Sequence, residues 1–161
     1  MNEAFLCLGG NMGDRLALIK EAKRQIILMG CDIVSESGVY QTEAWGTENG
    51  PEFYNQVIKV ETGLSALNLM QGLLIVEKNL GRERTDDKNA PRLMDIDILF
   101  YNEEIIKTEL LELPHPRLQL RNFVLVPLNE IAGEFVHPVF NKSIYVLMNE
   151  CNDKLKVKLV E

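Results

Sequence analysis

The stretch PRLMDIDILFY, residues 91 to 101, limits the folds open to this chain more than any other segment. Leu93 to Tyr101 is an apolar, strand-forming run interrupted by two carboxylates at alternate positions. Successive side chains of a strand leave by opposite faces. Met94, Ile96 and Ile98 can therefore enter a core, while Asp95 and Asp97 leave together by the other face, roughly 6.6 Å apart along the strand.

The other segments read as elements that pack around this strand. Ala4 to Leu8 is a buried strand closed by Gly9-Gly10. Asp14 can cap a helix carrying Leu16, Ile19, Ala22 and Ile26, with Gly30 as its stop. Ile33 to Tyr40 predicts a second strand. Thr42 to Glu52, rich in Gly, Pro, Asn and Thr, predicts a loop holding the single Trp, Trp45. Phe53 to Thr62 resumes strand character. Ser65 opens a helix along which Leu67, Met70, Leu73, Leu74 and Glu77 recur, ending at Gly81. Residues 82–92 form a polar loop. Beyond Tyr101 come a short extended piece near Ile105 and breaks at Pro114 and Pro116. Helical stretches follow at Phe123 to Ile131, despite Pro127, and at Ile144 to Cys151. A final strand spans Leu155 to Val160. The order β-α-β-β-α-β with C-terminal additions suggests an α+β, ferredoxin-like sandwich. The 161 residues, 46% of them hydrophobic, suit one domain over 1–161.

A formal charge of -7 makes the chain a poor general partner for nucleic acid or anionic membranes. Three cysteines, Cys7, Cys31 and Cys151, with no C-x-x-C pair, argue against a disulfide framework or a zinc cage and for buried thiols. The first residues, MNEAFLCLGGNMGDR, lack the charge and apolar core of a signal peptide. No apolar run approaches the ~20 residues of a membrane span. The expected location is the cytoplasm.

Two carboxylates on one strand face repel each other unless a cation relieves them. Oxygen ligands select a hard ion such as Mg²⁺, which keeps waters and shares substrate phosphates. Alone, the D-x-D pattern is a weak signal, and a solvated sheet face is its commoner reading. Arg82, Arg84, Lys88 and Arg92 precede the pair, and Arg117 and Arg121 follow it. Arg offers phosphate a planar fork of donors. Glu83, Asp86 and Asp87 give the same loop a mixed charge, so an exposed ion-paired loop is the competing reading. Flanking prolines could aim His115 at a phosphate, or simply build a turn; His137 reads as structural. Gly9 to Asp14 lacks the Lys-Ser/Thr of a P-loop and reads as a strand-to-helix turn. Trp45, Phe53 and Phe123, with Asn55 on the same strand face as Phe53, would suit a planar heterocycle. Paired carboxylates also serve metal-dependent nucleases and nucleotidyl transferases, yet neither explains the aromatic residues.

These segments together resemble the 6-hydroxymethyl-7,8-dihydropterin pyrophosphokinase family of folate biosynthesis. The resemblance is carried by LGGNMGDR (8–15), YQTEAWG (40–46), FYNQV (53–57), LGRER (80–84), PRLMDIDILFY (91–101) and PHPRLQLRNFVLVPL (114–128). It implies a ferredoxin-like fold and transfer of the β,γ-diphosphate of ATP to the pterin hydroxymethyl oxygen, with AMP as the other product. It implies two Mg²⁺ ions on Asp95 and Asp97. Arg82, Arg84, Arg92, His115 and Arg121 match positions that handle ATP phosphates or order the loops, Arg82 and Arg92 among the catalytic ones. Glu77 and Ile98 match positions around the nucleotide. The pterin would lie between Phe53 and Phe123, its edge read by Asn55, Thr42 and the backbone at Ala44 and Trp45. Its partners would be small molecules alone, ATP and the pterin. The chain departs from the family pattern at Gly10, where Ser is usual, at Glu43, where Pro is common, and at Asn89-Ala90, where Trp-Gly or Gly-Gly is frequent.

Overall fold

Asn2–Gly10 forms β1, and its residues alternate between two cores. Ala4, Leu6 and Leu8 enter one; Phe5 and Cys7 enter the other. A strand buried on both faces belongs at the centre of a sheet, and β1 pairs antiparallel with two partners. On one side lies β4 (Phe53–Thr62) and on the other β5 (Asp95–Tyr101). The computed structural model describes residues 1–43, 51–81 and 93–161. Within them the main sheet runs β5, β1, β4, β3 (Tyr40–Thr42) and β8 (Val157–Leu159), with β2 (Cys31–Glu36) also on β4, and every pairing is antiparallel. Val57 and Val60, three positions apart on β4, accordingly face opposite cores.

The first core lies beneath α1 (Arg15–Leu28) and α2 (Ala66–Asn79). Both helices begin where the sequence places a cap. The Asp14 carboxylate accepts from the Ala17 N–H at 3.2 Å, and Ser65 Oγ accepts from the Asn68 N–H at 3.1 Å. Gly30 and Gly81 follow the helices with φ of 108° and 91°, a region that disfavours other residues. The buried stripe of α1 is Ile19, Ala22 and Ile26; Leu16 stays partly exposed. The buried stripe of α2 is Ala66, Leu69, Leu73 and Val76, with Glu77. Of the expected stripe, Leu73 and Glu77 are buried and Met70 partly so, while Leu67 and Leu74 face outward.

The second core lies on the opposite sheet face, beneath α3 (Asn122–Ala132) and α4 (Ile144–Glu150). A register shift between Phe5 and Leu6 lets the consecutive residues Leu99 and Phe100 both enter it. Pro127 is buried inside α3 and removes one helical N–H without ending the helix.

Two strand boundaries differ from expectation. The run Ile33 to Tyr40 is two strands, β2 (Cys31–Glu36) and β3 (Tyr40–Thr42), both on β4. Ser37 makes the break: its N–H donates to Val57 O at 2.9 Å, and its Oγ accepts from the Val57 N–H at 3.0 Å. Thr42 thus ends a strand rather than opening a loop. The piece expected near Ile105 is a small hairpin of β6 (Ile106–Lys107) and β7 (Glu112–Leu113). The final strand, β8 (Val157–Leu159), adds to β3. No helix among the described residues is long and apolar enough to cross a membrane.

Candidate active site

The pairing register assembles the site. Gly9 of β1 is opposite Asp95 on one side and Asn55 on the other, and Asn55 is opposite Tyr40. Directly paired residues share a sheet face. Asp95, Gly9, Asn55 and Tyr40 therefore form one row across four strands. Asp97, Cys7 and Val57 form the next row, and Phe53 pairs with Thr42 beyond Asn55. All of these lie on the face covered further along by α3. Two strand spacings, about 10 Å, separate the backbones of Asp95 and Asn55, and Gly9 between them contributes only main chain. Asp95, Asp97, Phe53, Asn55 and Thr42, predicted from separate segments, are thus brought onto one surface.

The segment after β7 closes the acidic end. The Leu113–Pro114 peptide is cis. The His115 N–H donates to Leu99 O at 2.9 Å, holding this segment to β5. His115 Nδ1 accepts from the Arg117 N–H at 3.2 Å, which leaves the proton of the neutral ring on Nε2. That nitrogen stands 3.9 Å from Asp97 Oδ2. Burial chiefly, with Arg121 next, lowers the His115 pKa to about 4 against the pull of Asp95. The imidazole is a neutral donor here at pH 7.

Arg121 lies just before α3, its Cζ 5.5 Å from the centre of the Phe123 ring. Burial lowers its pKa, and Arg117 adds to this, while Asp97 and Asp95 oppose. Cys7 on the floor is pushed well up by burial, then by Asp97 and Asp95. His115 and Arg121 thus stand near the two aspartates, with the Phe123 ring beside Arg121.

The aromatic end holds polar atoms without partners. Thr42 is 2% exposed and Asn55 6%, yet Thr42 Oγ1 and Asn55 Nδ2 have no hydrogen-bond partner among the described residues. An unsatisfied buried polar atom costs about 1–3 kcal/mol. Two of them lie beside the half-buried Phe53, an arrangement that can accept a polar, planar group.

Glu77 and Ile98 lie on the other face of the sheet. Glu77, 3% exposed, accepts the Ile96 N–H at 2.7 Å, and Ile98 packs in the first core. Glu77 therefore secures β5 between the two aspartates. Ala44, Trp45, Arg82, Arg84 and Arg92 lie outside the described residues.

Several contacts that hold the site's elements together escaped residue-by-residue reading, although Asn11 and Arg15 lie in the motif LGGNMGDR. Asn11 Nδ2 donates to Pro51 O at 3.3 Å, and Arg15 Nη1 donates to Glu52 O at 2.6 Å. Arg15 also stacks 3.8 Å from the Tyr54 ring centre. The turn after β1 therefore anchors the residues leading into Phe53. Glu130 of α3 accepts the Tyr40 hydroxyl and the Gly38 N–H, each at 2.7 Å, and so fixes β3 to α3. His137 is buried, its Nδ1 accepting from the Val139 and Phe140 N–H groups, in keeping with a structural role.

Residues 5–133 match the family model described as 7,8-dihydro-6-hydroxymethylpterin-pyrophosphokinase (HPPK). The 2-amino-4-hydroxy-6-hydroxymethyldihydropteridine pyrophosphokinase of Aquifex aeolicus is 40% identical over 144 residues, covering 89% of this chain and 89% of that protein. The folic acid synthesis protein fol1 of Pneumocystis carinii is 42% identical over 144 residues. There the match covers 89% of this chain but only 19% of the relative's length. A crystal structure of Plasmodium falciparum HPPK-DHPS superposes with a TM-score of 0.73 at 18% identity, over 92% of this chain and 43% of that one. At that identity the superposition speaks for the fold alone.

Proposed function

This chain belongs to the 7,8-dihydro-6-hydroxymethylpterin-pyrophosphokinase family, and from that premise we propose that it moves the β,γ-diphosphate of ATP onto the hydroxymethyl oxygen of 6-hydroxymethyl-7,8-dihydropterin, a step of folate biosynthesis that releases AMP. The observation that carries the reading is one surface with two carboxylates at one end and two unpartnered buried polar atoms beside an aromatic ring at the other. The strand order β5-β1-β4-β2 and the β-α-β-β-α-β succession support a ferredoxin-like sandwich. We read residues 1–161 as one pyrophosphokinase domain.

The donor set fits a hard divalent cation. Asp95 and Asp97 offer carboxylate oxygens side by side on β5. The described residues contain no group of three or more His, Cys, Asp and Glu side chains able to hold a metal alone. Water and phosphate oxygens would complete the shell, the habit of Mg²⁺. Two Mg²⁺ ions bound there would neutralise charge on the ATP phosphates.

The protein groups then position and stabilise, as phosphoryl transfer requires. His115 donates from Nε2, and Arg121 presents its guanidinium from the start of α3; both serve the phosphates. Arg82, Arg84 and Arg92 add further phosphate donors. Glu77 keeps β5 in place, and Ile98, whose side chain packs in the first core, could offer the nucleotide only its main chain. Phe53 and Phe123 enclose the pterin ring, while Thr42 Oγ1 and Asn55 Nδ2 read its edge with the backbone at Ala44 and Trp45. Held in that geometry, the pterin oxygen meets the β-phosphorus in line.

The test is product identity. ATP, Mg²⁺ and hydroxymethyl-dihydropterin should yield AMP and the pterin diphosphate in equal amounts. Formation of ADP or free pyrophosphate in place of AMP would defeat the proposal.

A further inference from the structure

The C-terminal tail, beyond the residues matched by the family model, reaches both sides of the proposed pterin site. Helix α3 has no side-chain cap of its own, because Arg121 at the cap position makes no such bond. Asp153 supplies one from the tail. Its Oδ2 accepts from the Asn122 N–H at 3.0 Å, and its backbone O accepts from Asn122 Nδ2 at 2.9 Å. Its Oδ1 accepts from the Leu155 N–H at 3.0 Å, so both carboxylate oxygens are engaged. A few residues on, β8 pairs with β3, placing Val157 opposite Thr42 and Leu159 opposite Tyr40.

Asn122 is the first residue of α3 and Phe123 the second. The first turn of a helix has free N–H groups and frays without a cap, and a carboxylate there also meets the positive end of the helix dipole. Phe123 moves with that turn. Arg121 is held separately by its N–H to Leu118 O at 3.4 Å in the turn before the helix.

We infer that Asp153 is a positioning residue that fixes Phe123 as the pterin wall by capping α3 from the tail. The inference rests on the pterin reading of Phe53 and Phe123. A wall that is already ordered costs nothing to order on binding, so loss of the cap should act on pterin affinity. At saturating pterin the wall re-forms, and kcat is spared.

The experiment uses the full chain with Asp153→Ala, Asp153→Asn and, as a control on the exposed side of β2, Asp32→Ala. Steady-state KM for pterin and for ATP, kcat and far-UV circular dichroism are measured. Asp153→Ala should raise the pterin KM about fivefold, and Asp153→Asn, which keeps one acceptor oxygen, about twofold. The ATP KM, kcat and the control should stay close to wild type. An unchanged pterin KM in a folded Asp153→Ala protein overturns the inference. So does a parallel change in both KM values and kcat, which marks general destabilisation. If Asp153→Ala does not fold, the Asp153→Asn comparison decides by the same criteria. If the wild type itself does not turn over the pterin, the pterin reading fails, and this inference goes with it.

Discussion

The Asn55 carboxamide lies against Gly9, its partner across β1 and β4, so closely that a Cβ at position 9 would collide with Asn55 Oδ1. The same Cβ would sit 2.7 Å from Asn55 Cγ and 2.8 Å from Tyr54 O. Neither is the far end of a flexible chain. Gly9→Ala should therefore displace Asn55 and strain β4. The expected cost is about 1–3 kcal/mol of stability. The pterin KM should rise roughly tenfold or more, since a buried donor is lost from the ring edge. Denaturant unfolding and KM measurements check this; an unchanged pterin KM would show that Asn55 does not read the substrate.

Thr42 and Asn55 give the apo-protein an unfavourable term that a ligand can remove. In Thr42→Val the shape is nearly kept and the unpartnered hydroxyl disappears. The free protein should become more stable by up to about 1 kcal/mol, read as a melting temperature higher by roughly 2–4 °C. Pterin affinity should fall in the same variant. Differential scanning calorimetry with and without pterin separates the two effects; destabilisation of the free protein would contradict the account.

Asp97 combines a site on the β5 face with a neutral His115 only 3.9 Å away. Asp97→Asn keeps the side chain's size and removes its charge. We expect kcat to fall on the order of a hundredfold or more, with a higher Mg²⁺ concentration needed for half-maximal activity. The circular dichroism spectrum should not change. Wild-type Mg²⁺ dependence in this variant would rule out Asp97 as a metal ligand.

Tyr40 supplies a test in pH. Burial first, then its bond to Glu130, raises its pKa to about 12. Its folded value lies above the unfolded one, so the contribution is complete below the ordinary tyrosine pKa. It is lost as pH rises through roughly 10 to 12, where the unfolded chain releases a proton that the folded chain retains. Stability of the wild type should fall through that window, and Tyr40→Phe should make the fall shallower. Melting temperatures across alkaline pH decide it; identical slopes for both proteins would mean that Tyr40 is not shielded.

Much of the architecture was legible because its causes are local. The Asp95–Asp97 alternation set the facing of β5, and Asp14, Ser65, Gly30 and Gly81 marked helix ends by their own hydrogen bonds or dihedral freedom. What escaped depends on distant partners. The break at Ser37 needs Val57, the anchoring of β3 needs Glu130, and the placing of Asn55 needs a glycine on the next strand. The α2 stripe was legible only in part: Leu73 and Glu77 are buried as expected, but Leu67 and Leu74, as apolar as the buried Leu69, face outward. Hydropathy alone cannot choose between the two faces. The grouping of Phe53, Phe123 and the aspartates followed from the family resemblance; the strand register and the start of α3 then supplied the geometry.

The central claim concerns which bond of ATP breaks, and a label at the β-phosphorus reads it directly. With β-labelled ATP, Mg²⁺ and hydroxymethyl-dihydropterin, the account predicts that the label leaves the nucleotide and is recovered in the pterin product, matched one for one by unlabelled AMP. Label retained in ADP, or released as free pyrophosphate, would contradict it.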